Sequence, residues 1–430
     1  MSNIFTARPV KIEYTNGQRK ALELVQEFLN QHEERFFLLA GYSGCGKTTI
    51  AENIAIYAKA RILAPTNAAV NRLKEKITLS SDKFSTIHSE MYAPTDIKGF
   101  FKKNKGLISR TNYIIDEASM IDEFILNDLI TEALEKNCKI IFMGDSFQLE
   151  PVGKDPHLFS WNHKEFNPKY QYELTEVKRY DGDLLKIATE LRTKKECHFQ
   201  AIDSDDLVIL NKFSKQMIND FKNNESAIVL TSTNQTRITY NEKIRAVKYK
   251  QVENLMYAQN YDKLVSVSNN SHYSNGETFT MMHPMLIGEF NLVIEQPKTD
   301  ELKSYDALFY TNNNGVPVLL IPHLLEPSLH GAQIIDAYEN KYFNLPMHLH
   351  KALFIENKYK DKIWFNKNVV IATYGYAISC HKAQGQEWDN VYIDATWLSS
   401  AWNHARWFYT AITRAKKKVE VKENKYLKMN

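Results

Sequence analysis

The chain has few cysteines and no long apolar run, and each absence excludes a class of protein. Its 430 residues contain 4 cysteines, Cys45, Cys138, Cys197 and Cys380, with no CxxC or Cys/His zinc spacing among them. We therefore expect neither a disulfide framework nor a structural metal, and a reducing setting. No run of about 18 apolar residues occurs, and the first residues lack an apolar core of signal-peptide length. Secretion and membrane spanning are not expected, and the cytoplasm is the predicted location.

The chain also lacks a charge excess and low-complexity sequence. Lys plus Arg is 54 against Asp plus Glu 51, and this net charge of +3 neither requires nor excludes a polyanionic partner. A composition that is 43% hydrophobic and 24% charged is typical of folded cores and excludes a disordered scaffold. The length predicts about two to four domains, which excludes a single small binding domain.

The first 180 residues alternate short apolar runs with helical patterns, which is typical of a parallel α/β sheet. The predicted strands are Phe36–Ala40, Arg61–Ala64, Tyr113–Ile115 and Lys139–Met143. Residues able to do chemistry follow each run, and ligands bind beyond the carboxyl ends of strands in such sheets. We therefore expect four loops to converge on one site.

The second half interrupts a similar pattern with β-rich sequence. A strand is predicted at Ala227–Thr231, and from about 251 to 363 the chain has Asn-rich turns and alternating strands. The further predictions are a hairpin of Leu308–Thr311 and Val316–Ile321, a helical segment at Ala332–Tyr359, and resumed α/β strands at Val369–Ala372 and Val391–Ile393. This pattern predicts an insertion that splits a second α/β domain.

One segment carries the signature of a phosphate-binding loop. Gly41–Thr48 reads G-x-x-x-x-G-K-[ST] between a predicted strand and a predicted helix. Lys47 would place its ammonium on the β- and γ-phosphates, and the Thr48 hydroxyl would bind Mg²⁺. The alternative is an ordinary glycine-rich turn. The candidate nucleotide-binding residues are Gly41, Tyr42, Ser43, Gly44, Cys45, Gly46, Lys47, Thr48 and Thr49.

Acidic, amide and cationic groups downstream favour hydrolysis of a nucleoside triphosphate. Asp116 ends a predicted strand and would bind Mg²⁺, and Glu117 would deprotonate an attacking water; alone, such a pair reads as a strand end with solvated charges. Gln148 follows the next strand and could reach the γ-phosphate, although a polar loop residue is the alternative. Arg179 and Arg414 are candidates for stabilising charge on the transferring phosphoryl group.

These segments occur in the order found in superfamily 1 helicases, which the chain resembles over nearly its whole length. The motifs that carry the resemblance are TNGQ (15 to 18), GYSGCGKT (41 to 48), APTNAAV (64 to 70), FSTIHS (84 to 89), IIDEASM (114 to 120), GDSFQLEPVG (144 to 153), LTEVKR (174 to 179), YAISCHKAQGQEW (376 to 388) and YTAITRAKKK (409 to 418). The QLEPVG and HKAQGQ forms resemble the RecD-like branch, which moves 5′ to 3′, and the compact size with LTEVKR resembles the Dda-like phage helicases.

The resemblance implies an α/β fold of two RecA-like P-loop domains with parallel sheets and ATP in the cleft between them. The first domain would span 1–178 with a small pin insertion at about 89–110. The second would comprise 179–250 and 364–430, with a β-rich, SH3-like insertion at 251–363.

The resemblance also implies roles for single residues, with ATP and Mg²⁺ as the bound groups. Gln18 would read the adenine, and Gly385 would lie near the ATP cleft. The roles it implies for residues already named are Lys47 and Thr48 on the phosphates, Thr48 and Asp116 on the metal, Glu117 on the catalytic water, Gln148 on the γ-phosphate, and Arg179 with Arg414 in the charge clamp.

Single-stranded DNA would be held through phosphates and stacked bases without sequence readout. The residues that the resemblance places on its path are Pro65, Thr66, Asn67, Thr86, His88, Ser379, His381 and Lys382. Without the resemblance, either histidine would read as structural. Phe100 and Phe101 lie in the pin and would form the wedge that splits the duplex, or else would anchor a surface hairpin.

Aromatic residues near the end of the chain allow two readings. Trp402, Trp407 and Tyr409 would form a stacking platform, or, as their near-helical spacing favours, part of a core.

The resulting hypothesis is an ATP-dependent DNA helicase that moves 5′ to 3′ on a single strand and unwinds duplex DNA, in phage replication or recombination. Its predicted partners are single-stranded DNA, duplex–single-strand junctions and single-strand-binding or other replication proteins, without a membrane. We expect a working monomer, in the host cytoplasm if a phage encodes it. Two alternatives are a translocase that displaces bound proteins and an ATP-gated single-strand loader. A nucleotide kinase is disfavoured because Glu117 and Gln148 would have no role.

Overall fold

The computed structural model describes most of the chain. The described residues are 13–94, 101–103, 106–149, 166–178, 182–195, 206–252, 254–268, 272–273, 275–295, 302–312, 314–324, 333–342, 369–399 and 403–423. Arg179, Phe100 and Trp402 lie outside these ranges, and for Phe101 only the backbone is described.

Backbone contacts divide the chain into two units. The first unit comprises Met1–Cys197 and Asn403–Lys416, and the second comprises His198–Trp402 and Lys417–Asn430. This division groups 403–416 with the first unit, whereas the sequence assigned them to the second domain. The boundaries of the functional domains stay a prediction.

Within the described residues, the α-helices are, in chain order, α1 Asn16–Asn30, α2 Lys47–Ala58, α3 Asn67–Lys76, α4 Ile87–Met91, α5 Glu123–Glu135, α6 Gly182–Lys194, α7 Lys215–Lys222, α8 Asn234–Lys248 and α9 His404–Ile412. No helix in these ranges is long and apolar enough to cross a membrane.

The strands of the described ranges are β1 Phe36–Gly41, β2 Arg61–Ala64, β3 Phe84–Thr86, β4 Tyr92–Pro94, β5 Phe101–Lys103, β6 Asn112–Ile115, β7 Lys139–Gly144, β8 Gln171–Leu174, β9 Leu207–Leu210, β10 Ala227–Thr231, β11 Asp262–Ser266, β12 Thr278–Met281, β13 Met285–Glu295, β14 Leu302–Thr311, β15 Pro317–Leu320, β16 Gln333–Tyr342, β17 Val370–Tyr374, β18 Ala377–Ser379, β19 Trp388–Asp394 and β20 Ala415–Lys422.

The first unit is built on a parallel sheet with the order β3-β2-β6-β7-β1-β8. Alternate side chains of β1 face two separate cores. Phe37 and Leu39 pack with residues of α1 and α2, whereas Phe36 and Leu38 pack with residues of α5. A strand buried on both faces must be apolar throughout, which explains the run FFLLA. The four strands predicted in this half and the α/β class are confirmed.

The predicted pin region contains a two-stranded hairpin. Strand β4 pairs antiparallel with β5, so that Pro94 lies opposite Phe101. The wedge assignment of Phe100 and Phe101 falls outside the side chains that the structure describes, and stays a prediction.

The described residues of the second unit form two sheets. One has the order β18-β10-β19-β20-β9, and β10 pairs parallel with both of its neighbours. The other is a mixed sheet with the order β12-β11-β17-β15-β14-β13-β16. It contains the predicted hairpin, in which Leu308 lies opposite Leu320. Strands predicted at Ala227–Thr231 and Val391–Ile393 belong to the first of these sheets, as expected.

Two predictions in this unit are wrong. The helical segment predicted at Ala332–Tyr359 is a strand over Gln333–Tyr342, because this stretch pairs antiparallel along β13; residues 343–359 lie outside the described ranges. Val369–Ala372 was assigned to the second parallel sheet, but β17 lies between β11 and β15 in the mixed sheet. In both places pairing with a distant strand decides the structure.

Candidate active site

The predicted phosphate loop joins β1 to α2. Gly46 takes φ +83° as the N-cap of α2, a conformation that disfavours any side chain. A Cβ at this position would also lie 2.5 Å from Nε2 of Gln18. Because Gly46 has no side chain to cap the helix, the positive end of the α2 dipole faces the adjoining cavity.

Gln18 supports this loop from below. Thr15 and Gln18 form a capping box at the start of α1, and Gln18 Nε2 donates to the carbonyl of Cys45 at 2.8 Å. The side chain is 3% exposed. The oxygen of its side-chain amide accepts from the Thr15 N–H, and the nitrogen donates to Cys45. Gln18 therefore supports the phosphate loop in this structure. Its role in reading adenine stays a prediction.

The ammonium group of Lys47 is held against the loop. Its Nζ donates to the carbonyls of Gly41 at 2.8 Å and Tyr42 at 3.0 Å. Burial raises the pKa of the neighbouring Cys45 thiol, so this side chain is a neutral packing group. Lys47 therefore lies at the cavity with its ammonium group hydrogen-bonded to carbonyl oxygens of the phosphate loop.

Two carboxylates follow β6 in a strained turn. Glu117 takes φ +52°, the left-handed region, and its side chain and that of Asp116 are buried. Oδ2 of Asp116 has no hydrogen-bond partner. Burial and the adjacent Glu117 raise the pKa of Asp116. For Glu117, burial alone would raise the pKa, but Arg72, Arg414 and Lys47 outweigh it and lower the pKa, which favours the ionised form of this carboxylate.

Arg72 was not predicted from the sequence and is the nearest cation to the carboxylates. Its Nη2 lies 2.8 Å from Oε1 of Glu117 and 3.9 Å from Oδ2 of Asp116. Arg72 lies on α3, the helix that Thr66 caps by accepting from the Ala69 N–H at 3.2 Å. No local motif marks this arginine, and only its position on the face of α3 toward β6 brings it to the site.

Gln148 and Arg414 complete the site. Gln148 is 4% exposed, and its Oε1 is buried without a hydrogen-bond partner. Arg414, at the end of α9, is 2% exposed and donates from Nε to the Thr410 carbonyl at 3.0 Å and from Nη2 to the Ser43 hydroxyl at 3.3 Å. A cation predicted at the phosphates thus contacts the phosphate loop directly.

These groups surround a cavity of about 410 Å³, within the size range of small-ligand sites. The predicted residues that line it are Ser43, Gly44, Gly46, Lys47, Thr48, Thr49, Asp116, Glu117, Gln148 and Arg414. Lining residues that the sequence did not predict are Glu52, Arg72, Lys76 and Lys178.

A buried ion-pair network contacts the phosphate loop. Arg192 pairs with Asp145 and Glu173 and stacks on the Tyr42 ring, 4.1 Å from its centroid. Asp145 also accepts from the Tyr409 hydroxyl at 2.6 Å, and the same hydroxyl accepts from the Ser43 N–H at 3.1 Å. Burial alone would raise the pKa of Asp145, but Arg192 outweighs it and lowers the pKa. Tyr409 is therefore a buried link between the phosphate loop and Asp145.

Trp407 is also buried, and Trp402 lies outside the described residues. For Trp407 and Tyr409 the core reading is thus confirmed over the stacking platform.

In the first unit, the residues predicted to contact single-stranded DNA lie at the carboxyl ends of β2 and β3. Pro65, Thr66 and Asn67 are half-buried there. Thr86 caps α4 through a capping box with Ser89. His88 is exposed on α4, with its ring 5.6 Å from that of Tyr92. Hydroxyl, amide and imidazole groups thus lie together at one edge of the sheet.

In the second unit, the residues predicted to contact single-stranded DNA lie at the end of β18 and directly after it. Ser379 ends the strand, and His381 and Lys382 lie in the 3₁₀ turn Cys380–Ala383. Gly385 follows with φ +77°. Burial lowers the pKa of His381, so its imidazole is neutral at pH 7.

Comparison with known proteins agrees with this geometry. Residues 13–210 match an AAA domain, and residues 374–421 match the UvrD-like helicase C-terminal domain. The ATP-dependent DNA helicase Dda of Enterobacteria phage T4 is 31% identical over 44% of this chain and 45% of its own length. The RecD subunit of the RecBCD enzyme of Buchnera aphidicola (Schizaphis graminum) is 26% identical over 89% of this chain and 69% of its own length.

A crystal structure of Pif1 helicase from Candida albicans is similar, with a TM-score of 0.47 and 15% identity over 95% of this chain and 94% of that one.

The domain matches and the two sequence relatives, together with the phosphate loop and its two carboxylates, define an ATP-dependent enzyme. These similarities support a superfamily 1 helicase of the RecD and Dda type. The resemblance inferred from the motifs is therefore confirmed.

Proposed function

We propose that this helicase moves 5′ to 3′ along single-stranded DNA, unwinds duplex ahead of it and serves phage replication or recombination. The observation that carries the enzymatic part is the convergence of Lys47, Glu117, Gln148 and Arg414 on one cavity beside the α2 N-terminus. The polarity is supported by the QLEPVG and HKAQGQ forms of the RecD-like branch. The phage role is supported by the similarity to Dda.

The residues present fit ATP and Mg²⁺. Asp116 Oδ2 and Gln148 Oε1 are buried acceptors without hydrogen-bond partners, and both line the cavity. The described residues contain no cluster of three acidic, histidine or cysteine side chains that would bind a metal alone. This suits Mg²⁺, which uses one or two carboxylates together with substrate phosphates. Thr48 and Asp116 would hold the ion, which would neutralise charge on the β- and γ-phosphates.

The remaining steps belong to side chains of this chain. Lys47 exchanges its loop carbonyls for phosphate oxygens, which are stronger acceptors for an ammonium group. Glu117, kept ionised by the neighbouring cations, accepts the proton of the attacking water. Arg414 stabilises the charge that develops on the transferring phosphoryl group, and Gln148 offers its amide to the γ-phosphate. Arg179 would add a second cation.

The residues predicted to contact single-stranded DNA provide a route by which DNA binding would be coupled to ATP turnover. Thr66 caps α3, and the same helix carries Arg72 to Glu117. A DNA strand that contacts Pro65, Thr66 or Asn67 therefore contacts the start of α3, and Arg72 on that helix pairs with the proposed general base, Glu117. On this basis we expect ATP turnover to depend on single-stranded DNA.

The decisive experiment is unwinding of one duplex that bears either a 5′ or a 3′ single-stranded tail. We expect ATP-dependent unwinding of the 5′-tailed substrate alone, and none with Lys47→Ala. Unwinding of the 3′-tailed substrate alone would contradict the polarity. Strand-stimulated ATPase without any unwinding would favour a translocase that displaces proteins, and tight strand binding with little turnover would favour a loader.

A further inference from the structure

A small cavity in the second unit lies at the carboxyl edge of its parallel sheet. Strands β10 and β18 end side by side there, with Thr231 opposite Ser379. Helix α8 begins after β10, and the 3₁₀ turn that carries Lys382 begins after β18. Its polar lining residues are Asn234, Arg237, Thr373, Ser379 and Lys382, and its apolar ones are Val265, Val267 and Ile378.

Two cations face this cavity, and the described residues place no carboxylate in an ion pair with either. Arg237 is 3% exposed, donates from Nη2 to the Leu324 carbonyl, and has a buried Nε without a hydrogen-bond partner. Lys382 Nζ donates to Oδ1 of Asn275 at 3.3 Å. Neutral oxygens are therefore the only described acceptors for two positive groups.

Two largely buried cations without a described anionic partner are electrostatically unfavourable, and a bound anion would stabilise them. Burial lowers the pKa of Arg237 to about 10. Burial and then the charge of Arg237 lower the pKa of Lys382 to about 7. A buried charge normally has a partner of opposite sign, and the α8 N-terminus adds further positive potential. The site thus has the charge and donors to bind an anion.

The volume of the cavity limits where an anion could bind. The cavity itself is about 10 Å³, room for one water molecule and not for a phosphate. Ser379 and Lys382 are half-buried, whereas Arg237 is 3% exposed. An anion that approaches from solvent would therefore contact Ser379 and Lys382, and the buried charge of Arg237 would attract it without direct contact.

We propose that Ser379 and Lys382 bind one phosphodiester of the DNA strand, with Arg237 as the buried positioning residue that supplies a second positive charge beneath it. The inference rests on the proposed strand-binding function and adds Arg237 to its machinery. It also makes strand affinity depend on pH. The facing groups are Arg237 on α8, the Asn275 amide before β12 and the Ser379 hydroxyl, so Arg237 is the charged group among them.

The sign of that dependence follows from linkage. A bound phosphate raises the pKa of Lys382, so binding takes up a proton at pH values above about 7. Affinity is therefore highest below pH 7 and falls as pH rises through 7 toward the pKa of the strand-bound form.

The test is fluorescence anisotropy of a labelled deoxythymidine oligonucleotide with the full chain, as a function of salt and pH. We expect Lys382→Gln to lower the slope of log affinity against log salt by about 0.7, the value for one phosphate contact on a single strand. We expect Arg237→Gln to weaken binding about ten-fold at pH 6.5. A buried charge several ångström from the phosphate contributes on this scale. It should also shift the pH midpoint of affinity upward, since one group that lowers the pKa of Lys382 is gone.

Matched variants separate charge from folding. Arg237→Lys keeps the charge and should keep most of the affinity, and Lys243→Gln removes an exposed cation of the same helix and should behave as wild type. Arg237→Gln with wild-type affinity and pH midpoint would overturn the proposal, as would Arg237→Lys that is as weak as Arg237→Gln while melting at the wild-type temperature. Wild-type protein that binds no strand at all would instead refute the proposed function.

Discussion

Arg72 Nη2 lies 2.8 Å from Oε1 of Glu117, so the proposed general base of the ATPase is paired with a cation on α3. Glu117 is 7% exposed, and without a neighbouring cation burial would raise its pKa. The pairing keeps the carboxylate ionised and sets the direction in which its oxygen points. Arg72 is thus a positioning residue for Glu117.

Removal of Arg72 should move the acid limb of the ATPase pH profile. Glu117 acts only when deprotonated, and loss of a cation within hydrogen-bond distance raises a carboxyl pKa by about 1 to 3 units. We therefore expect Arg72→Ala to shift this limb to higher pH by that amount and to lower turnover most at acidic pH. Arg72→Lys should restore much of the original profile. The measurement is kcat against pH at saturating ATP and single-stranded DNA, and an unmoved limb would contradict the pairing.

Arg414→Ala should separate nucleotide binding from hydrolysis. The guanidinium contacts Ser43 of the phosphate loop, and loss of an arginine that stabilises phosphoryl transfer typically costs about 10³ to 10⁵ in turnover. We expect nearly complete loss of ATPase, with binding of a fluorescent ATP analogue retained. Lys416→Ala, an exposed cation two residues along, is the matched control. Turnover at the wild-type rate would refute the assignment of Arg414.

The phosphate loop and the two carboxylates could be predicted from sequence because their chemistry depends on local order. Gly41 to Thr48 must follow a strand and open a helix, and Asp116 must end a strand, so neighbouring residues suffice to place them. Arg72 could not be found in this way, since it is 45 residues from Glu117 in the chain and meets it only through packing of α3. The same holds for Arg192, which is 47 residues from Asp145.

The fold shows the same division between local and distant information. The buried strands of the first sheet are apolar throughout and were recognisable one at a time. Gln333–Tyr342 was misread as helical because its structure depends on antiparallel pairing with β13, which no local pattern encodes. Val370–Tyr374 was recognised as a strand, but its sheet is decided by β11 and β15.

The pin should be required for unwinding and not for ATP turnover. Changing Phe100 and Phe101 together to Ala removes the aromatic surface that would stack on the first base pair, while the ATP cavity is untouched. We expect unwinding of a 5′-tailed duplex to be abolished and strand-stimulated ATPase to remain near wild type. Joint loss of both activities, with a lowered melting temperature, would indicate instead that these residues anchor the β4–β5 hairpin.

The Tyr409 hydroxyl should stabilise the first unit. It receives the Ser43 N–H and donates to buried Asp145, and loss of a hydrogen bond to a buried charged group costs about 1 to 3 kcal/mol. Tyr409→Phe should lower the free energy of unfolding by this amount in urea titration. Tyr172→Phe is the control, because the structure shows no hydrogen bond from that hydroxyl to any described residue. Equal stability of the two variants would show that the hydroxyl contacts contribute nothing.

Gly46→Ala should abolish nucleotide binding, whereas Gly17→Ala should be tolerated. At Gly46 a methyl group meets Nε2 of Gln18 at 2.5 Å and the backbone has φ +83°, so both contact and conformation oppose it. At Gly17, in α1, the nearest atom is Oε2 of Glu176 at 3.6 Å, an ordinary contact. Alanine in a helix is favoured over glycine by about 1 kcal/mol, so Gly17→Ala should be as stable as wild type or more so. Titration with ATP and thermal unfolding test both variants. If the double variant Gly46→Ala, Gln18→Ala regains binding, the contact with the Gln18 side chain is the cause of the loss, because φ at position 46 is unchanged.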